Sequence, residues 1–370
     1  MDADRTLLFP HAALRLIPPH AEGSARWSVH DLLRRTTYEL GPAACQTLVA
    51  FSGGRRALEV AEDLSERLGK SRQDVLDAAA RLAELGLLAP GDHAEHRFAD
   101  RIQRSWDERG WSAAAEHHLA TWNFPYLDYL EKHHDMDRMD EYLAEEPDLD
   151  RCKAAPPEAT RVPLPTAADA VNALEVPLDV AWSGAAPRRP LALDTVGTIV
   201  SGTFGVLRRR SALRKDREAE YLRKTSPSGG ARHPTEGYLV AIAVDGLAPG
   251  LYHHAVAEHA LARVGEPLSP AVLERVFPGP MRAPFRVGAL VVMTTVFERN
   301  MYRYREPRTY RSLMMDVGHI QETLSVISSG CGISSHDDHD IDLPEAERVF
   351  GLRPLREGVI CATALGGGDP

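Results

Sequence analysis

Lys224-Thr225-Ser226-Pro227-Ser228-Gly229-Gly230-Ala231-Arg232-His233-Pro234-Thr235-Glu236-Gly237-Tyr238 leads into the apolar run Leu239-Val240-Ala241-Ile242-Ala243-Val244. From Tyr238 to Val244 the run has the length of a buried strand. Asp245-Gly246-Leu247-Ala248-Pro249-Gly250 then makes a turn, and Leu251-Tyr252-His253-His254 a return strand. Ahead of this hairpin the loop gathers turn formers, small donors and cations. Pro227 fixes its own φ, Gly229 and Gly230 free the backbone to turn N–H groups inward, and Ser226 and Ser228 add hydroxyl donors. With charge from Arg223, Lys224 and Arg232, the composition is that of an anion cradle suited to phosphate. An ordinary Gly/Pro/Ser surface loop shares that composition, and the flanking sequence favours the cradle. His233 reads as a brace for the loop.

Upstream, Leu191 to Val200 predicts a helix leading to Gly202-Thr203-Phe204-Gly205-Val206. Six cations follow, at Arg208, Arg209, Arg210, Arg214, Lys215 and Arg217, either as a basic surface turn or as contacts to phosphate or carboxylate. Downstream, Leu313, Val317, Ile320, Leu324 and Ile327 recur at helical spacing and predict a broadly buried helix over 310–330. His336-Asp337-Asp338-His339-Asp340 has the residue types of a metal site, but adjacent residues on one short loop rarely converge on one ion, so no metal is expected. Ala364 to Gly368 reads either as bare backbone beside a ligand or as a frayed tail.

Toward the N-terminus, Ala57, Leu58, Val60, Ala61, Leu64 and Leu68 mark one helix stopped by Gly69. Ser71 caps a second, carrying Val75, Leu76, Ala79, Leu82 and Leu85, and Gly86 to Gly91 turns into a short ribbon. Helix, turn, helix and wing predict a winged-helix module over 1–99. Its second helix sets Arg72 and Arg81 against Asp74, Asp77 and Glu84, which disfavours DNA. Residues 100–189 read as a helical and Pro-rich connector. One aromatic-faced helix is expected from Trp106 to Trp122, and Asp135 to Asp150 as an acidic, solvated face, or else as an attractor for a basic peptide. Residues 190–370 form the third part.

Bulk properties narrow the class. The chain of 370 residues is long enough for two domains, and its net charge of −10 argues against a nucleic-acid surface. Four cysteines without a Cys-x-x-Cys pair read as buried small hydrophobes of a reduced, cytoplasmic protein. No apolar run reaches the roughly 18–20 residues of a membrane span.

The pattern Ser-Pro-Ser-Gly-Gly-x-x-His-Pro-x-Glu-x-Tyr at 226–238, with Gly-Leu-x-Pro-Gly-Leu-Tyr-His at 246–253, resembles the SagB/ThcOx flavin-dependent dehydrogenases of the nitroreductase superfamily. Arg303-Tyr304-Arg305-Glu306-Pro307-Arg308-Thr309-Tyr310-Arg311 looks like that family's Lys-Tyr segment, and Met315-Asp316-Val317-Gly318-His319-Ile320-Gln321 like the start of its central helix. The resemblance covers roughly residues 190–368. It implies an α+β, nitroreductase-like catalytic domain, a sheet flanked by helices in a homodimer whose core holds the 310–330 helix. It further implies FMN as cofactor, a ribosomally made precursor peptide as substrate, other peptide-modifying enzymes as partners, and oxidation of azoline rings to azoles.

On that resemblance Arg223, Lys224, Ser226, Pro227, Ser228, Gly229, Gly230 and His233 are expected to hold FMN. Ser334 and Ser335 occupy the place of a Gly-rich loop near the flavin ring, which is a departure from the family. Azoline oxidation removes a proton from Cα and a hydride to the flavin, so a base must face the ring. Tyr304 matches the family tyrosine, with Tyr302 and Tyr310 as fallbacks. Arg303 stands where the family has lysine; a guanidinium is a poor base, which makes Arg303 an electrostatic aid to Tyr304. The altered positions keep other FMN-dependent two-electron chemistry on a peptide open, such as Cα–Cβ desaturation or dehydroamino-acid reduction, as well as a non-catalytic scaffold. A winged helix of this kind also resembles leader-peptide recognition domains, where a peptide adds a strand to the wing.

Overall fold

The structure is a computed structural model that describes residues 6–19, 25–122, 134–174, 189–214 and 217–367. The chain divides into two compact units, Met1–Leu127 and Asp128–Pro370. No helix among the described residues is long and apolar enough to cross a membrane.

In the first unit β1 (Leu8–Pro10) pairs with β5 (Leu88–Pro90), and β2 (Leu14–Ile17), β3 (Trp27–Asp31) and β4 (Thr36–Leu40) form an antiparallel sheet. Between them lie α1 (Pro42–Ala50), α2 (Ala57–Leu68) and α3 (Arg72–Glu84). The local signals act as expected: Gly69 closes α2 in the left-handed region at φ +60°, and the Ser71 side chain accepts from the Asp74 N–H at the start of α3. Val60, Leu64, Val75 and Leu82 bury one face of this helix pair around Leu48 and Phe51. The expected ribbon after α3 is instead a single strand, β5, whose partner is the N-terminal β1. The single helix expected over 106–122 is two, α4 (Ala94–Asp107) and α5 (Ser112–Thr121), because the chain turns at Gly110, φ +74°.

The second unit opens with α6 (His134–Glu145), β6 (Arg161–Pro163) and α7 (Ala167–Asn172). Pro177 and Pro187 of the expected connector lie outside the described residues. Next come α8 (Leu193–Phe204), the hairpin β7 (Val206–Arg214) and β8 (Arg217–Lys224), and the strands β9 (Thr235–Ala241), β10 (Gly250–Ala255) and β11 (Ala260–Gly265). They are followed by α9 (Pro270–Val276), α10 (Pro278–Met281), β12 (Val287–Val296), α11 (Phe297–Arg303), α12 (Thr309–Gly330), β13 (Ser334–Asp338), α13 (Leu343–Val349) and β14 (Glu357–Gly366). Seven strands form one sheet in the order β13-β14-β12-β9-β10-β11-β6, antiparallel throughout.

Period-two alternation splits β9 between two cores. Leu239 and Ala241 join Val291 and Met293 beneath α8 and α12, whereas Tyr238 and Val240 join Leu290 and Val292 against Leu273, Phe277 and Phe350. The 310–330 helix is present as α12, and Val317, Ile320, Leu324 and Ile327 are its buried edge. α8 lies close to it because Gly202 has no side chain: a Cβ there would sit 2.9 Å from Ile327 Cδ1. Ala364, Leu365 and Gly366 of the C-terminal segment are not a frayed tail but the end of β14, which is paired on both sides and almost wholly buried; Gly368 lies outside the described residues. Cys45 and Cys361 are buried and Cys152 and Cys331 half-buried, all four free.

Leu324 is fully buried between α12 and the sheet. Leu324→Ala is expected to destabilise the second unit by about 2–5 kcal/mol, read as a lowered denaturation midpoint.

Candidate functional site

The loop between β8 and β9 has three left-handed residues, Gly230 (φ +60°), Ala231 (φ +52°) and His233 (φ +48°). Only glycine adopts that region without cost, so Ala231 and His233 mark backbone strain held by the surroundings. Ser228 Oγ donates to Asp316 Oδ2 at 2.7 Å, and the Gly229 N–H to Asp316 Oδ1 at 3.1 Å. Ser228 Oγ also receives the His233 N–H at 2.9 Å, and Ser226 Oγ donates to Thr323 Oγ1 at 2.8 Å. The expectation of an open cradle is therefore corrected for Ser226, Ser228 and Gly229. Their donors are turned onto α12, where Asp316 supplies an internal anion. Burial pushes the Asp316 carboxyl up, with Ser228 and Gly229 opposing.

His233 is the brace expected of it: its Nε2 lies 2.9 Å from the Leu222 carbonyl. Burial pushes its pKa down to about 4, so the ring is neutral and donates. Arg232 does not reach outward. It is 1% exposed, and its guanidinium meets the Asp148 carboxylate in two bonds of 2.9 and 2.7 Å while Nε donates to the Arg299 carbonyl at 2.6 Å.

What the loop leaves for a ligand is a narrow cleft of about 10 Å³ lined by Lys224, His233, Thr235, Phe204 and Asp316. Lys224 is half-buried there, and burial pulls its pKa down. Thr235 Oγ1 is buried in the same wall with no partner among the described residues. Arg223, exposed, stands opposite Arg208 on the hairpin, a like-charge pairing that an anion would relieve. The side chains of Arg210, Arg214, Lys215 and Arg217 lie outside the described residues. Lys224, Arg223 and the orphaned Thr235 hydroxyl thus fit a phosphate; Ser228 and Gly229 are already satisfied. Pro227 is exposed at the loop's rim.

Tyr304 caps α11, and the fold carries it onto this loop: a Cβ on Gly230 would clash with Tyr304 Oη. Arg303 lies over the Tyr304 ring, its guanidinium carbon 5.3 Å from the centroid. The fallback tyrosines do not compete. Tyr302 is buried and donates to the Glu146 carbonyl at 3.2 Å, and Tyr310 is exposed at the start of α12. Ser334 and Ser335 are not a loop but the first residues of the edge strand β13, paired with Gly366 and Leu365. They follow the far end of α12, roughly 20 Å of helix beyond Asp316. A single chain does not bring them to Tyr304.

Three residues that hold this site together, Arg299, Glu236 and Asp148, were given no partner in the sequence reading, because only the fold pairs them. Arg299 meets Glu236 at 2.6 Å with both side chains buried, and also donates to the Asp150 carbonyl at 2.7 Å and the His233 carbonyl at 2.9 Å. Burial pushes Glu236 up, but Arg299, His253 and Lys224 outweigh it and hold the carboxyl well below the usual range. Asp148 belongs to the stretch expected to be a solvated face; the other described acidic residues of that stretch are exposed as expected, and Asp148 is the exception. Besides Arg232 it holds Arg151, while Arg305 stacks 3.8 Å over Tyr142 and pairs with Glu145 at 2.8 Å and Glu146 at 3.2 Å. The side chain of Asp135 lies outside the described residues.

Comparison with known proteins gives the same picture. No family model matches the chain. It is 27% identical over 332 residues, 85% of this chain and 84% of the other, to the trifolitoxin-processing protein TfxB of Rhizobium leguminosarum bv. trifolii. It is 26% identical over 151 residues, 40% of this chain and 67% of the other, to a candidate nitroreductase of Methanocaldococcus jannaschii. Among solved structures, a candidate nitroreductase of Anabaena variabilis superposes with a TM-score of 0.45 at 19% identity, covering 71% of this chain and about half, 46%, of the other. One sequence relative is by name a toxin-processing protein and the other a nitroreductase. The resemblance read from the loop and the Arg303-Tyr304 segment, to a family that joins those two properties, is borne out. So is the α+β, nitroreductase-like architecture of the second unit.

Asp148→Asn is expected to cost about 3–5 kcal/mol, because it strands the buried Arg232 charge. Burial alone would raise the Asp148 carboxyl, but Arg232 and Arg151 hold it well below the usual range. A depressed carboxylate stabilises above its unfolded pKa and ceases to as pH falls through its folded one. Wild type should therefore lose this contribution only below about pH 4, and Asp148→Asn should lack it at neutral pH; denaturation at both pH values checks this.

Proposed function

We propose that the second unit is an FMN-dependent dehydrogenase that oxidises an azoline ring in a ribosomally made precursor peptide. The observation that carries this reading is Tyr304, seated on the bare backbone of Gly230 beside a strained loop with its phosphate-type cations. FMN, when bound, supplies the two-electron acceptor. Lys224, Arg223 and Thr235 hold its phosphate, with Pro227, Gly229 and Gly230 as the wall beneath. Tyr304 receives the proton from the substrate Cα, with the Arg303 guanidinium over its ring as the neighbouring positive charge. The neutral His233 keeps the loop in place and moves no proton.

The cleft of one chain is far smaller than the roughly 300–1,000 Å³ of a ligand site, so a second copy completes it. Met315 and Tyr310 on α12 and Met301 on α11 are 51–61% exposed, and a Cβ at Gly318 would meet nothing, which leaves this face open to a partner. In a homodimer built on α12, Ser334 and Ser335 of one copy reach the loop of the other. The first unit, a winged-helix type module, handles the peptide, and other peptide-modifying enzymes prepare it. A second reading, a scaffold without flavin, is favoured by one observation: Asp316 already fills the donors of Ser228 and Gly229.

Incubation with FMN and an azoline-bearing peptide should yield a product lighter by two hydrogens per ring. Tyr304→Phe should retain flavin and lose turnover at least ~10-fold. Turnover unchanged in Tyr304→Phe would move the base elsewhere, and a product mass unchanged by wild type would remove the dehydrogenase. Gly230→Ala combines a left-handed φ with a clash against Tyr304 Oη, and is expected to weaken both flavin retention and turnover.

A further inference from the structure

In the first unit, His11 follows β1 and is 2% exposed, yet its Nε2 has no hydrogen-bond partner among the described residues. Its other nitrogen, Nδ1, receives the Ala13 N–H at 3.3 Å, the long end of the range. A buried ring nitrogen left unmatched is costly, and an ion or water is among the usual reasons for one. His93, the residue before α4, and Glu95, in its first turn, lie beside the His11 ring, as does the ring of His96, whose centroid is 5.7 Å away and whose Nδ1 accepts from the Ala12 N–H. One ligand atom from each of His11, His93 and Glu95 lies within 4.8 Å of the others. The His11 and His93 rings meet edge-on, centroids 6.2 Å apart.

Two further features suit a cation. Arg34 Nη2 donates to Glu95 Oε2 at 2.7 Å, which fixes the carboxylate and leaves Oε1 for an ion, as outer hydrogen bonds do for metal-ligating carboxylates. The charge of Arg34 is itself offset by the buried Asp31, 3.1 Å away. A cavity of about 400 Å³, lined by His11, His93, Arg34 and Leu88, opens beside the two histidines.

We propose that His11 Nε2, a ring nitrogen of His93 and a carboxylate oxygen of Glu95 bind a divalent transition-metal ion, zinc by preference, with its fourth position open to the cavity. Ligation requires the neutral tautomer with its proton on Nδ1, so the proton moves there from Nε2, the long Ala13 contact is given up, and the metal–nitrogen bond supplies the partner Nε2 lacks. The spacing His93-x-Glu95, with His11 far upstream, hides this site in the sequence.

The test is calorimetric titration of the full-length, untagged chain, stripped of metal by chelator dialysis, with zinc chloride. It is repeated on His93→Ala and Glu95→Gln, both at exposed positions, and on His336→Ala, which reports on the chain's other histidines. Wild type is expected to bind about one equivalent with a micromolar or tighter Kd, to lose at least ~10-fold in affinity in each of the first two variants, and to be unchanged in the third. No stoichiometric zinc in wild type, or affinity that survives in either His93→Ala or Glu95→Gln, overturns the proposal.

Discussion

The second unit depends on a buried ion pair, Arg299 with Glu236, whose side chains are 3% and 0% exposed. Neither charge is tolerable there without the other, and each has further partners that use its remaining valence. Glu236 takes the Lys153 N–H at 2.9 Å and faces His253 at 3.2 Å, so the segment before β6 and the strand β10 are tied to the start of β9. Arg299 gives its other donors to the carbonyls of Asp150 and His233, and its own carbonyl accepts from Arg232. Arg232 in turn is held by Asp148. One chain of charge-assisted bonds thus joins α11, the loop ahead of β9 and the stretch after α6.

That chain explains why the loop holds two non-glycine residues in the left-handed region. Arg232 lies between Ala231 and His233 and is fixed at all of its guanidinium nitrogens, so the backbone on either side has no freedom to relax. Asp316 fastens the other end through Ser228 and Gly229. The result is a rigid floor on which the Tyr304 hydroxyl comes to rest against Gly230. Rigidity of this kind favours a site that must align a base with a ring, because little ordering is left for the moment of binding. It also restricts what the loop offers an incoming phosphate to the outward cations and one hydroxyl.

Much of this was legible in the sequence. The strand, turn and return strand after Tyr238, the period of α12 and the caps at Gly69 and Ser71 rest on local rules, and the structure follows them. Tyr304 was singled out by a resemblance in motif, and the fold sets it against Gly230 of the loop. What failed is pairing over distance. Ser226, Ser228 and Gly229 were assigned to a ligand because nothing local identifies their acceptors on α12, Thr323 for Ser226 and Asp316 for Ser228 and Gly229. Asp148 sits in an acidic run that is otherwise solvated, and only the tertiary fold supplies its partner Arg232. Ser334 and Ser335 were placed in a loop by the resemblance, and their pairing to β14 makes them strand.

The central claim is that the cleft between the loop and α12 is a flavin site. Titration of the full-length chain with FMN, followed by quenching of flavin fluorescence and by sedimentation of the complex, tests it most directly. The account predicts saturable binding of about one FMN per chain on a dimer, weakened in Lys224→Ala and in Gly230→Ala. A chain that leaves FMN fluorescence unchanged at every concentration would contradict it and leave the scaffold reading in its place.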